Sequence, residues 1–333
     1  MNTGNMNVHG ARRWLVALVT ACLVGLAAQR AMGQSTVGSR TAAGTPDAFI
    51  DSTQYKTIRV KPSETDNAIR TWDTTHAVFY DAKAKTNKIL LFLAGTNGTP
   101  NHIPADFLKT ALDQGYRVIA LSYITAPGVS QVCVGRVLNT DVDCAAEFRE
   151  RRIYGDNDFS RIADEPQDAI VPRLVHLLRW LASHDASGDW QQYLTPDQTK
   201  PRWTRIAVAG QSQGGGMAEF LGQHEVLARV ISFSGGWDYS NSREKTMAGW
   251  YSRPAVTPLQ NWYATYNVRE AAAGQLRRIC AALHIPDAHV FALDKPLLHA
   301  PPVGKRGNPY HPDGIHNPAY RATWITMLGN GAD

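Results

Sequence analysis

Apolar and polar positions along the chain alternate between two patterns. Short continuous apolar runs stop at a glycine or a polar loop: "KILLFLAG" (88–95), "RVIALSYI" (117–124), "RIAVAG" (205–210) and "RVISFSGG" (229–236). Such runs suit strands buried on both faces of a sheet. "KTIRVKP" (56–62) and "HAVFYDAK" (76–83) alternate more and read as edge strands, while "NWYATYN" (261–267) and "HVFALD" (289–294) complete the strand set. Between them, apolar positions recur at helical spacing in "PADFLKTALDQG" (104–115), "PQDAIVPRLVHLLRWLASHD" (166–185), "REAAAGQLRRICAALHI" (269–285) and "PAYRATWITMLG" (318–329). The second of these is expected to kink at Pro172. Strands alternating with helices imply an α/β fold, a mostly parallel central sheet covered by helices on both faces. With no internal repeat, residues 56–333 read as one domain after a small, polar lead-in at 34–55.

The N-terminus has a different pattern. Arg12 and Arg13 precede an apolar run from Trp14 to Ala28, and Ala31-Met32-Gly33 supplies the small residues that a signal peptidase reads. Residues 1–33 are therefore expected to be a signal peptide cleaved before Gln34, giving a secreted or periplasmic protein, with a bacterial look to the signal. The run is short for a span needing about 20 apolar residues, so no stable membrane association is expected afterwards. Cys22 sits in a lipoprotein-like box, but the apolar run continues past it.

That segment also explains part of the charge. The chain carries +5 overall, but removing residues 1–33 takes three arginines and no acid, leaving 31 basic against 29 acidic residues. Basic residues are interspersed with acids, as in "EFRERR" (148–153), which reads as a solvated surface. Nothing resembles a nucleic-acid stripe. Of the four cysteines, Cys133 and Cys144 are natural disulfide partners in an oxidising compartment. Cys280, at helical spacing with Leu276 and Leu283, reads as a buried thiol.

The chemistry concentrates at Gly210-Gln211-Ser212-Gln213-Gly214, which falls where a β-branched apolar strand hands over to a helix. This is a G-x-S-x-G elbow: flanking glycines allow a turn tight enough to expose the serine Oγ above the sheet. No Lys-Ser/Thr follows the glycines, so a phosphate-binding loop is not indicated.

On this motif and the strand–helix order, the chain resembles the α/β-hydrolase family over nearly all of residues 56–330. The resemblance implies a triad in the order Ser, acid, His. Ser212 is the nucleophile. Glu270, after "NWYATYN", fills the acid slot, with Asp238 in "SFSGGWDYS" as the alternative. His316 abuts the last helix and is the favoured base, with His311 the alternative. The base takes the proton of an otherwise weak nucleophile, and the acid fixes its tautomer and stabilises its charge. The backbone amide of Gln213 and one from Thr96 or Asn97, in "GTNGTP" after "KILLFLAG", would hold the oxyanion. The Asn97-Gly98-Thr99 sequon is discounted, since a glycan there would block the site. His311, Asp313 and His316 are metal-ligand types, yet no fourth ligand stands near and neither metal nor cofactor is expected.

Trp237, Tyr239, Trp250 and Tyr251 lie in a loop at this edge and are candidates for the substrate pocket or for loop anchors. The Cys133–Cys144 loop is a candidate second wall. No long apolar lid helix favours an interfacial lipase. The implied activity is hydrolysis of a small-molecule carboxylic ester through an acyl-enzyme. Peptidase or acyltransferase chemistry on the same triad, or a silent hydrolase-fold binding protein, are the alternatives.

Overall fold

A computed structural model describes residues 53–84, 86–240, 246–298 and 308–332. The expected signal peptide, Cys22 and most of the lead-in lie outside the described residues.

Eight strands form one sheet: β1 (Lys56–Val60), β2 (His76–Tyr80), β3 (Ile89–Leu93), β4 (Arg117–Ala120), β5 (Ile206–Gln211), β6 (Arg229–Phe233), β7 (Trp262–Asn267) and β8 (Val290–Leu293). Their order is β1-β2-β4-β3-β5-β6-β7-β8. β2 runs antiparallel to both β1 and β4, and all other pairs are parallel. Only one of the two expected edge strands is an edge. β2 is fully buried between its neighbours.

The helices are α1 (Pro62–Thr65), α2 (Ala105–Asp113), α3 (Val129–Val132), α4 (Arg136–Thr140), α5 (Cys144–Tyr154), α6 (Ile170–His184), α7 (Gln213–His224), α8 (Ala273–Ala282), α9 (Asp313–His316) and α10 (Arg321–Leu328). Alternation along the strands sorts the core. Ile206 and Val208 of β5 join one apolar cluster with Leu174, Leu178, Met217 and Ile279, from α6, α7 and α8. Ala207 and Ala209 point to the other face, with Phe107 and Leu108 of α2 and Trp324 of α10. Each buried Leu, Ile or Phe side chain stabilises by roughly 1.5–3 kcal/mol, so both faces are needed to hold the sheet.

Three local readings are corrected. Pro172 lies in the first turn of α6, where backbone N–H groups have no intrahelical acceptor, so it interrupts nothing. The segment around Cys133 and Cys144 is helical rather than a loop: Cys133 caps α3 and Cys144 opens α5, and the two are joined as a disulfide with Cα atoms 5.7 Å apart. Finally, "EFRERR" is not a uniformly solvated face. Arg149 and Arg152, one helical turn apart, are buried and each grips a carboxylate, Asp238 and Asp164 respectively.

Candidate active site

Sheet register places the parts of the site. Leu93 of β3 pairs with Gly210, and Gln211 pairs with Phe233 of β6. Ser212 therefore stands just past the strand ends, between the loops that leave β3 and β6. Its backbone is at φ 55°, ψ −117°, a region that costs a non-glycine residue about 1–3 kcal/mol. The surroundings hold it there. The Ser212 amide donates to the Phe233 carbonyl at 2.8 Å, and its carbonyl accepts from the Gly216 amide in the first turn of α7. The elbow's two glycines are required by contact. A Cβ at Gly210 would sit 2.1 Å from the Gly214 carbonyl, and one at Gly214 would sit 2.0 Å from the Leu93 carbonyl oxygen. Strand β5 can enter α7 this tightly only if both positions lack side chains.

The loop after β3 meets the same point. Gly95 lies so close to the serine that an added Cβ would fall 3.3 Å from Ser212 Cβ. Asn97 takes a left-handed φ of 62°, and the Gly98 amide closes a turn on the Gly95 carbonyl at 2.9 Å. Gln213 is the first residue of α7, so its amide has no acceptor within the helix. Its buried side chain fixes the neighbouring wall, accepting from the Val129 amide at 3.0 Å and donating to the Thr125 carbonyl at 3.1 Å. Gln213 thus adjoins Ser212, and Thr96 and Asn97 follow Gly95 in the loop that reaches the serine.

Glu270 and His311 come together. His311 Nδ1 lies 2.8 Å from Glu270 Oε2, with the carboxylate 1% and the imidazole 25% exposed. The other carboxylate oxygen accepts from Ser234 Oγ at 2.5 Å and from the Asn267 amide at 3.0 Å. Three partners on one buried carboxylate hold it in one orientation. Ser234, which sequence reasoning missed, has a left-handed φ of 45° at the end of β6. Its carbonyl accepts from Trp237 Nε1 at 2.7 Å, and the Trp237 ring meets His311 edge-on, with centroids 5.0 Å apart. The visible signal was a serine directly before Gly235-Gly236 at a strand end.

His316 is not brought to the acid. It closes α9 on the exposed side of that turn, and Glu270 is filled by His311. Asp238 is also not available as the acid. It lies fully buried in a two-pronged bond to Arg149, 2.6 Å at each oxygen, and accepts from Trp250 Nε1 at 2.8 Å. Its own amide donates to Tyr251 Oη. Trp250 and Tyr251 are fully buried around that pair. They anchor the loop, whereas Trp237 and Tyr239 line a cavity of about 510 Å³ beside Glu270 and His311. Burial, with the Glu270 charge second, raises the Tyr239 phenol above its usual range. Among the described residues no group of three or more His, Cys, Asp or Glu gathers as a metal site.

Ser212 Oγ makes no hydrogen bond among the described contacts, but it is linked to the acid through the backbone: Ser212 amide to Phe233, then Ser234 to Glu270 to His311. A strained, half-buried serine at the start of α7, with a His–carboxylate pair on the adjoining loops, is an arrangement suited to acyl transfer.

No protein-family model and no curated protein matches the chain. Its fold is similar to solved structures at low identity. EstE1, a thermophilic carboxylesterase cloned from a metagenomic library, is 10% identical over 86% of this chain and 93% of that one, with a TM-score of 0.44. A dienelactone hydrolase from Anabaena variabilis is 14% identical over 82% and 98%, at 0.43. A putative dienelactone hydrolase from Klebsiella pneumoniae is 12% identical over 82% and 98%, also at 0.43. The fold follows from the chain itself. The strand order with β2 reversed, the elbow after β5 and the carboxylate after β7 are the layout of the α/β-hydrolase fold.

Proposed function

We propose that the protein is a serine hydrolase acting on carboxylic esters, with Ser212 as nucleophile, His311 as base and Glu270 as the acid that orients it. The carrying observation is the division of labour on Glu270: one oxygen is held by Ser234 and Asn267, and the other is left for His311 Nδ1. That bond fixes the tautomer whose Nε2 is free to accept the serine proton. Attack on an ester carbonyl forms the tetrahedral intermediate. Its oxyanion is held by the Gln213 amide and that of Thr96 or Asn97, each worth about 2.7–4 kcal/mol. His311 then gives the proton to the leaving alcohol, and water releases the acid by the same route in reverse.

Export is part of the proposal. The Cys133–Cys144 disulfide suits an oxidising compartment, as does the signal-like N-terminus. No helix among the described residues is long and apolar enough to cross a membrane.

The test is turnover of p-nitrophenyl acyl esters by the mature protein, Ser212→Ala, His311→Gln and His316→Gln. Loss of at least ~10³-fold in the first two, with His316→Gln within a few fold of wild type, is expected. Activity surviving in Ser212→Ala rejects the elbow as the catalytic centre. Loss confined to His316→Gln reassigns the base.

A further inference from the structure

The segment that leaves β4 reaches both parts of the oxyanion hole proposed above. Thr96 and Asn97 sit in the turn that the Gly98 amide closes on the Gly95 carbonyl. Each flank of that turn accepts a hydroxyl from this segment. Tyr123 Oη donates to the Ala94 carbonyl, and Thr125 Oγ1 donates to the Gly98 carbonyl at 3.0 Å. Thr125 also meets the elbow. Its carbonyl accepts from Gln213 Nε2 at 3.1 Å, and the Val129 amide donates to Gln213 Oε1 at 3.0 Å. Thr125 is thus a buried residue with its hydroxyl on the turn after β3 and its carbonyl on the first residue of α7.

Gly128 shows how closely the two parts approach. Its backbone is extended, at φ −77° and ψ 156°, so conformation does not call for glycine there. Contact does. A Cβ at this position would fall 2.6 Å from Thr96 Oγ1 and 2.8 Å from Gln213 Oε1. The turn after β3, the start of α7 and the segment after β4 therefore meet at one point, with no room for a methyl group between them.

Oxyanion donors act by placement. An amide stabilises the developing charge when it lies about 2.7–3.1 Å from where the oxygen will stand, and removing a whole donor costs about 10²–10³ in rate. The two amides come from different loops, so their spacing depends on what ties those loops together.

We propose that Thr125 is a positioning residue: it ties the turn carrying Thr96 and Asn97 to Gln213 and so sets the spacing of the two oxyanion amides. The proposal rests on the ester-hydrolase reading above. Thr125 acts through the loops it joins. Without its hydroxyl the Gly98 carbonyl loses this donor, while Tyr123 still holds the Ala94 flank. One amide is then misplaced rather than lost, so a rate loss of roughly tenfold is expected, smaller than for removal of a donor.

The experiment uses Thr125→Val, which keeps the shape and drops the hydroxyl, and Thr125→Ser, which keeps the hydroxyl. Two quantities are read: kcat/KM for p-nitrophenyl butyrate, and Ki for propyl trifluoromethyl ketone. The serine oxygen adds to the carbonyl carbon of that ketone, the serine proton passes to His311, and the carbonyl oxygen becomes an oxyanion with no group leaving. Thr125→Val is expected to lower kcat/KM roughly tenfold and to raise Ki by the same factor, with Thr125→Ser within about threefold of wild type in both. A variant that merely folds less well lowers the amount of active enzyme and leaves Ki unchanged. Thr125→Ala, which only removes atoms, gives the same reading where the valine variant does not fold. Wild-type values in the variants lacking the hydroxyl, a fall in kcat with Ki unchanged, or equal losses in Thr125→Ser overturn the positioning role and leave the hydrolase reading standing. If wild type cleaves no ester, or Ser212→Ala cleaves it equally well, the hydrolase reading itself falls and the positioning role falls with it.

Discussion

Two buried carboxylates compete for the role of triad acid, and isosteric substitutions separate them by opposite signatures. Asp238→Asn keeps shape but removes the carboxylate charge that the Arg149 guanidinium grips with two hydrogen bonds. Both side chains are fully buried, and breaking such a pair costs about 3–5 kcal/mol. Trp250 Nε1 also loses a charged acceptor. For a domain of this size about 2 °C of melting temperature goes with each kcal/mol, so a fall of roughly 6–10 °C is expected. Catalysis, measured well below that melting point, should stay within a few fold because Asp238 contacts neither Ser212 nor His311. Glu270→Gln reverses the pattern. Its amide oxygen can still accept from Ser234 and Asn267, but its NH₂ then faces His311 Nδ1 and selects the wrong tautomer. A kcat loss approaching ~10⁴ is expected, with a smaller stability change. The assay is thermal unfolding by circular dichroism alongside ester turnover for both variants. Asp238→Asn with kcat down more than ~10² and an unchanged melting temperature would refute the assignment, as would Glu270→Gln with near-normal kcat.

Other consequences follow from groups outside the site. His76 is fully buried, its Nδ1 accepts from the Ser122 amide, and burial, with the Arg173 charge next, pushes its pKa down to about 3. The stability it contributes is complete above pH 6.5 and is lost as pH falls toward 3. About 2 kcal/mol should go between pH 6.5 and 5, and His76→Asn should flatten that slope in urea unfolding. Glu219 works in the opposite direction: burial pushes it up to about 7, so its ionisation weakens the fold as pH rises from 4.5 to 7. Glu219→Gln should therefore raise the urea midpoint at pH 8 but not at pH 4, and an equal rise at both would contradict this. Reducing Cys133–Cys144, or replacing both with serine, should cost about 3 kcal/mol. A melting temperature unmoved by reductant would show that α3 and α5 hold this segment without the bond.

The sheet was legible because its strands are apolar on both faces and stop at glycine, a pattern helices do not share. The serine was legible because the elbow's glycines are forced by contact: Gly210 and Gly214 approach other backbone more closely than any side chain permits. Long-range partners were not. Arg149 and Asp238 lie 89 residues apart, and nothing in "EFRERR" or "GGWDYS" announces that the two meet. An arginine paired within the core and one in water look the same in sequence. The same blindness leaves open in sequence whether Trp250 and Tyr251 line a pocket or anchor the loop, and burial around the Arg149–Asp238 pair makes them anchors.

The choice between His311 and His316 shows why order along the chain is weaker evidence than donor count. Order along the chain favours His316, which abuts the last helix, but α9 turns once between the two histidines and leaves it exposed. Which of the two reaches Glu270 depends on where that carboxylate points, and this is set by Ser234 and Asn267 from the ends of β6 and β7. Ser234 therefore orients the acid, and its effect is separable from its strain. Ser234→Ala keeps a non-glycine residue at φ 45° but removes the hydroxyl, whereas Ser234→Gly removes both the hydroxyl and the strain. If the hydroxyl orients Glu270, both variants lose similar kcat, roughly tenfold for one charged hydrogen bond. Recovery of kcat in Ser234→Gly alone would assign the effect to the backbone instead, and the Glu270 carboxylate would then owe its orientation to Asn267.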